Sequence, residues 1–156
     1  MIDTLPLLAC LGAAIVGGVF FAFSAFVMKA LGQLPAHQGI AAMQRINAVV
    51  LNPLFLAVFV GTTVLSAICV LAGFLPWGTR KSAWLLAAGL LYFVGAFGVT
   101  AACNVPRNER LARLDAEGEA AAAYWPVYLR EWLRWNHVRT VAGLLSAACA
   151  GMAMAA

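Results

Sequence analysis

Four short polar and aromatic stretches contain most of the side chains in this sequence that could do chemistry. They are Phe20-Phe-Ala-Phe-Ser24, Met43-Gln-Arg-Ile-Asn47, Asn104-Val-Pro-Arg-Asn108 and Trp135-Asn-His-Val-Arg139. Amides and a guanidinium can hold a negatively charged oxygen through hydrogen bonds, and aromatic rings can enclose a flat molecule. The stretches are far apart in the chain, so they form one site only if the fold brings them together.

The composition indicates what kind of fold positions these stretches. Of the 156 residues, 64% are hydrophobic and 10% are charged, and the mean hydropathy is +0.91. Soluble domains are roughly half apolar and a quarter charged, so this composition excludes a soluble globule and also a disordered chain. The sequence therefore predicts a single integral membrane domain over residues 1–156.

Four long intervals without Asp, Glu, Lys or Arg predict four membrane-spanning helices. A bilayer core of about 30 Å needs about 20 apolar helical residues, and each interval can hold them. The predicted spans are approximately 5–28, 51–75, 82–103 and 138–156. The predicted fold is an all-α four-helix bundle with a cytoplasmic amphipathic extension leading into the fourth helix.

The basic residues predict the orientation. Eight of the ten lie in loops 29–50 and 104–137 or at the adjoining Arg139, and the other two are Arg80 and Lys81. The positive-inside rule then places both loops in the cytoplasm and both termini outside a membrane of the bacterial inner-membrane type. The net charge of +4 is an orientation signal, and no nucleic-acid partner is predicted. In an up-and-down bundle all four stretches would meet at the cytoplasmic face.

A helical wheel divides the segment 124–139 into two faces. One face holds Trp125, Tyr128, Trp132, Trp135, Asn136 and Arg139. Arg130, Arg134 and His137 lie on the other. The first face continues into small residues from Gly143 onward, and small residues usually face neighbouring helices in membranes. The aromatic face is therefore predicted to face the bundle, with His137 toward head groups or solvent unless a kink turns it inward.

Several of these side chains have more than one interpretation. Trp and Tyr are typical of aromatic belts at membrane interfaces, but Asn136 and Arg139 need polar partners if they face the bundle. Asn104 and Asn108 flank Pro106, which is predicted to end the third helix. Their amides would then either cap its last carbonyls or line a pocket. The four cysteines and two histidines form no ligand pattern, so no metal site is predicted.

The motifs Phe-Ala-Phe-Ser, Met-Gln-x-Ile-Asn, Asn-Val-Pro-x-Asn and Trp-Asn-His-Val-Arg-Thr together resemble the anthrone oxygenase family of small membrane proteins. The resemblance covers nearly the whole chain. It implies oxidation of an anthrone-like or hydroquinone-like aromatic substrate by dioxygen, with no metal, flavin or other cofactor. The family's Asn-x-Pro-x-Asn stretch matches Asn104, Pro106 and Asn108, and its Asn-x-x-Arg matches Asn136 and Arg139.

The predicted site follows from the motifs and the resemblance together. The candidate catalytic residues are Arg139, Asn136 and His137, of which the arginine would stabilise an oxyanion. The candidate substrate-binding residues are Asn104, Asn108, Asn47, Gln44, Ser24, Phe23, Trp132 and Trp135. The expected partners are a hydrophobic aromatic small molecule, dioxygen and membrane lipid, and a homo-oligomer is left open.

Two other functions fit the same residues. A non-enzymatic membrane protein could bind a lipid or a hydrophobic small molecule in a pocket at the cytoplasmic face. An accessory subunit that binds a quinone or haem is the third interpretation. An absorption spectrum distinguishes a haem protein from the other two, because bound haem gives an intense Soret band.

Overall fold

Helices account for almost all of residues 4–75 and 80–156, which the structure, a computed structural model, describes. The α-helices are α1 (Thr4–Ala22), α2 (Met28–Gln33), α3 (Ala36–Val49), α4 (Pro53–Gly73), α5 (Arg80–Leu90), α6 (Val105–Ala112) and α7 (Glu119–Ala155). Three π-helical segments, Phe23–Val27, Leu91–Gly98 and Thr100–Asn104, connect α1 to α2 and α5 to α6. Neither described range contains a β-strand. The predicted all-α fold is thus confirmed.

Four continuous helical runs are long and apolar enough to cross a membrane. They are Thr4–Gln33, Pro53–Gly73, Arg80–Ala112 and Glu119–Ala155. Each coincides with one predicted span, but the first and third runs continue beyond the predicted ends and the fourth begins well before residue 138. The amphipathic extension and the fourth span are therefore one helix. Its 37 residues have a length of about 55 Å at 1.5 Å per residue, well beyond a bilayer core of about 30 Å.

The four runs pack in a ring in which each contacts the next along the chain. α1 packs against α4, α4 against α5, α5 against α7, and α7 against α1. The α1–α7 crossing is close at two glycines, since a Cβ added at Gly143 would lie 3.2 Å from the Cα of Gly17. Small residues at such a crossing let two membrane helices approach without side chains between them. This arrangement fixes the register of α7 against α1, and hence the position of the polar side chains that follow.

The orientation predicted for α7 is confirmed by burial. Trp125, Tyr128, Trp132, Asn136 and Arg139 are buried. The opposite face, with Arg130, Arg134 and His137, is exposed. Trp135, at one edge of the predicted stripe, is only half-buried. The helix is continuous through residues 135 and 136, so no kink turns the histidine into the bundle.

The third run does not end at Pro106, and the prediction that it would end there is wrong. The segment Thr100–Asn104 is π-helical, and the N–H of Val105 bonds to the carbonyl of Thr100, five residues back. Pro106 then lies in the first turn of α6, where a missing N–H and a fixed φ are tolerated. The side chain of Arg107 donates to the Cys103 carbonyl at 2.7 Å. Asn104 and Asn108 therefore lie on a continuing helix.

The ends of the runs on one side of the bundle form a second small core, which we call the helical cap. It consists of α2, α3, α6 and the first half of α7, packed around the residues Met28, Leu31, Ile40, Met43, Leu111, Ala121, Tyr124, Trp125, Tyr128 and Trp132. Gln44 connects two of its helices, because its Nε2 donates to the carbonyls of Leu111 and Leu114, both at 2.9 Å. The cap positions α3 and α6 over the end of the bundle.

Candidate functional site

A cavity of about 480 Å³ lies where the helical cap meets the bundle. α1, α3, α4, α6 and α7 all contribute to its walls, which are mostly aliphatic and aromatic. The polar residues that border it are Gln44, Asn47, Thr100, Asn108, Glu109 and Arg139. Pockets for small molecules are typically about 300–1,000 Å³, apolar, and supplied with a few polar groups. By size and lining this cavity is suited to a hydrophobic small molecule.

Arg139 is the buried cation at this cavity, with 5% of its surface exposed. Its Nη1 donates to Thr100 Oγ1 at 3.1 Å and its Nη2 to Asn136 Oδ1 at 2.7 Å. The guanidinium carbon lies 4.1 Å from the centre of the Phe20 ring and 5.0 Å from that of Trp132. Within residues 4–75 and 80–156, Arg139 forms no ion pair with a carboxylate, and its buried Nε has no hydrogen-bond partner.

Asn136 supports Arg139 from behind the cavity wall. While its Oδ1 accepts from the arginine, its Nδ2 donates to the Phe20 carbonyl at 2.7 Å and to Ser24 Oγ at 2.8 Å. Asn136 is fully buried and does not border the cavity. The amide therefore links the guanidinium to α1 without bordering the cavity itself.

Ser24 and His137 lie at the outer edge of the same network. The hydroxyl of Ser24 is 3.0 Å from Thr140 Oγ1 and 3.0 Å from His137 Nδ1. The imidazole is exposed, and neither residue borders the cavity. Among the described residues, a hydrogen-bonded path from His137 to Arg139 runs through Ser24 and Asn136.

Asn108 joins α6 to the aromatic face of α7. Its Oδ1 accepts from the Tyr128 hydroxyl at 2.9 Å and from Trp132 Nε1 at 2.8 Å. Asn47, on α3, donates to the same tyrosine oxygen at 3.4 Å. Asn108 borders the cavity while two donors hold its oxygen. Two of the predicted binding amides, from separate helices, thereby lie at one side of the cavity.

Asn104 lies elsewhere. Its Nδ2 donates to the Trp132 carbonyl at 3.2 Å, and its buried Oδ1 has no hydrogen-bond partner among the described residues. The residue does not border the cavity. Asn104 thus holds the third run against α7 instead of capping a helix end.

The three predicted aromatic binding residues divide in a similar way. Phe23 and Trp132 both border the cavity, with ring centres 5.5 Å apart. Trp135 does not border it. The two rings that remain form an apolar wall beside the guanidinium, which is suitable for one face of a flat aromatic molecule.

Phe20, Thr100 and Glu109 border the cavity but are missing from the predicted site. Thr100 and Phe20 contact Arg139 directly. The sequence gives little signal for Thr100, which lies in a long apolar run. Phe20 belongs to one of the four stretches, and Glu109 directly follows another. Both could have been found by extending the candidates along those helices.

Within residues 4–75 and 80–156, no three His, Cys, Asp or Glu side chains are grouped so that they could hold a metal ion. The proposal of chemistry without a cofactor stays a prediction. The residues that border the cavity are amides, a hydroxyl, a carboxylate, a guanidinium and apolar groups.

A family model described as Anthrone oxygenase matches residues 53–149, which is more than half of the chain. The chain belongs to the anthrone oxygenase family. For this family member, the match begins at the first residue of α4 and extends over the third run and most of α7. It includes Asn104, Asn108, Asn136 and Arg139, whereas the residues on α1 and α3 precede it. Neither the curated proteins nor the solved structures that were compared with the chain include a match.

Proposed function

We propose that the protein oxidises an anthrone-like or hydroquinone-like aromatic substrate with dioxygen, without a metal or organic cofactor. Family membership supports an oxygenase-like role. The observation that carries the proposal is Arg139, a buried guanidinium with no carboxylate partner in the described ranges that borders a largely apolar cavity.

The unpaired guanidinium favours a ligand that carries or develops a negative charge. A buried cation without a counter-ion is costly, because its hydration is lost and no opposite charge replaces it. An aromatic anion would supply that charge and also fit the apolar walls. A neutral lipid tail would pack against the apolar walls but leave the guanidinium without a counter-ion.

The same interaction would accelerate oxidation. An anthrone loses a proton from its CH₂ carbon to give an anion whose charge is delocalised onto the carbonyl oxygen, and a hydroquinone loses a phenolic proton. Such an anion is electron-rich enough to reduce dioxygen. One anthrone reacts with one O₂ to give one anthraquinone and one H₂O. One oxygen atom of O₂ enters the quinone and the other leaves in the water. For a hydroquinone, two electrons and two protons pass to O₂, which leaves as H₂O₂.

Residues of the cavity and its surroundings would stabilise the anion and hold the aromatic ring. Arg139 would stabilise the oxyanion as it forms, and Asn136 and Thr100 would hold the guanidinium in place. Phe23 and Trp132 would contact the ring face, and the amides of Asn47 and Asn108 would orient its polar edge.

The test is a turnover measurement on the purified protein in mild detergent, with unsubstituted anthrone as the probe. Dioxygen consumption and the absorbance of anthraquinone are followed together, with and without EDTA, against heat-denatured protein at the same detergent concentration. We expect EDTA-insensitive acceleration and one O₂ consumed per quinone formed. The same assay with an alkyl hydroquinone tests the second substrate class.

Two results would contradict the proposal. Rates no faster than those of the denatured control over a panel of anthrones and hydroquinones would favour the binding-protein alternative. Turnover that EDTA inhibits would be compatible with an oxygenase but would contradict the metal-free mechanism.

A further inference from the structure

One more ionisable residue, Glu109, borders the cavity. Of the residues that border the cavity, all of which lie in the described ranges, Glu109 is the only one with a carboxylate, and none of the others is a histidine, cysteine, lysine or tyrosine. The exposed His137 lies outside this lining. Removal of a proton from a bound substrate therefore has one side-chain acceptor at the cavity.

The Glu109 carboxylate is only weakly held by its neighbours. Its ion pair with Arg113 has a separation of 3.9 Å, and the two side chains are 61% and 80% exposed. Exposed pairs of this kind hold their partners weakly. The carboxylate can therefore turn between the ion pair and the cavity, and a proton that it receives can pass directly to water.

Arg139 and Glu109 both border the cavity but differ strongly in burial. Arg139 has 5% of its surface exposed, whereas the side chain of Glu109, on α6, is 61% exposed. In an anthrone, the acidic CH₂ carbon and the oxygen that takes up the charge are on opposite sides of the central ring. The two hydroxyl groups of a hydroquinone are opposed in the same way. A substrate whose oxygen contacts the buried Arg139 would direct its acidic group away from this arginine, toward the more exposed part of the lining, to which Glu109 belongs.

We propose that Glu109 is the catalytic base of this site, an inference that rests on the proposed function. In the step, a C–H bond of the anthrone CH₂ breaks and its proton forms an O–H bond with the carboxylate of Glu109. The electron pair stays on the substrate, delocalised onto the oxygen that Arg139 holds. Dioxygen then oxidises this anion, and the proton on Glu109 passes to solvent.

Isotope exchange without dioxygen isolates this step. Anthrone deuterated at its CH₂ group is incubated anaerobically with the protein in detergent, and loss of deuterium to water is followed by mass spectrometry. We expect the wild-type protein to accelerate this exchange. E109Q should lower both exchange and aerobic turnover by about 100-fold or more, the usual range for loss of a general base. The matched control E117Q removes the same charge from the exposed turn before α7 and should behave as wild type.

A variant with the base deleted separates catalysis from folding. E109A removes the carboxylate from the exposed part of the lining, and added sodium acetate should restore part of its exchange rate, whereas an equal concentration of sodium chloride should not. A purely structural role of Glu109 predicts no such rescue. Quenching of tryptophan fluorescence by anthraquinone confirms that each variant still binds an aromatic ligand.

The outcomes distinguish this inference from the proposed function. If the wild-type protein oxidises anthrone and E109Q exchanges deuterium at the wild-type rate, Glu109 is not the base and the oxygenase remains. If the wild-type protein oxidises anthrone but does not accelerate deuterium exchange, the conclusion is also that Glu109 is not the base. If the wild-type protein leaves anthrone oxidation at the uncatalysed rate, the proposed function fails and this inference fails with it.

Discussion

Replacing Arg139 by lysine tests whether the planar guanidinium, and not only its charge, is needed. The guanidinium presents separate nitrogens to Thr100 Oγ1 at 3.1 Å and to Asn136 Oδ1 at 2.7 Å while it borders the cavity. An ammonium is a single point charge without this fork, so it cannot keep both contacts and also reach a substrate oxygen.

The expected loss follows from the role of the arginine. Removing a principal oxyanion donor costs about 3 to 4 kcal/mol of transition-state stabilisation, which is roughly a hundred- to thousandfold fall in kcat. Arg139→Lys should therefore retain its charge and its fold but lose most of its turnover of anthrone. The assay follows initial rates of anthraquinone formation in detergent and compares kcat with KM.

The matched control is Arg134→Lys, on the exposed face of the same helix. It should leave kcat unchanged, because that residue is exposed and does not border the cavity. Unchanged elution in size-exclusion chromatography and an unchanged unfolding temperature would show that Arg139→Lys is folded. Wild-type kcat in folded Arg139→Lys would refute the reasoning, since a bare positive charge would then suffice.

Four further substitutions test the surroundings of this arginine and the topology. Asn136→Ala removes a charge-assisted hydrogen bond worth about 1.5 to 3 kcal/mol and should lower kcat by roughly 10- to 100-fold, whereas His137→Ala should change it less than about threefold. The opposite ranking, measured in the same turnover assay, would show that the imidazole acts directly on the substrate. Thr100→Val keeps the side-chain volume but removes the acceptor of Arg139 Nη1, so kcat should fall by about tenfold with little change in KM; an unchanged kcat would mean that this contact does not position the guanidinium. A cysteine at the exposed Ala120 should react with a membrane-impermeant thiol reagent only in inverted vesicles, with the unsubstituted protein as control, and labelling in intact cells would overturn the predicted orientation.

Local features explain which parts of this fold the sequence could predict. Charge-free intervals predicted the number of spans, because a charged side chain in a bilayer core is costly wherever it occurs. The face of α7 was also predictable. An α-helix repeats every 3.6 residues, so the spacing of Trp132, Asn136 and Arg139 alone places them on one side.

Contacts between helices decide which residues of that α7 face border the cavity. Asn136 and Arg139 share the buried face, yet only Arg139 borders the cavity, while Asn136 donates to the carbonyl of Phe20 on α1. No pattern within α7 indicates where α1 lies, because the α1–α7 register is fixed by a close approach at Gly17 and Gly143. The sequence thus predicted both residues as catalytic, and the structure distinguishes the residue that borders the cavity from the one that links it to α1.

The continuation of the third run beyond Pro106 also required the tertiary structure. Proline usually ends a helix because it lacks an N–H and its ring displaces the preceding turn, and that rule alone predicted a helix end. Here the turns before it are π-helical, and the long helix continues into the cap. That continuation brings Asn108 and Glu109 to the cavity. The sequence by itself determined a membrane bundle and one polar face, since these depend on local composition and periodicity. Which residues enclose the cavity was decided by the packing of five helices, whose mutual positions no local pattern encodes.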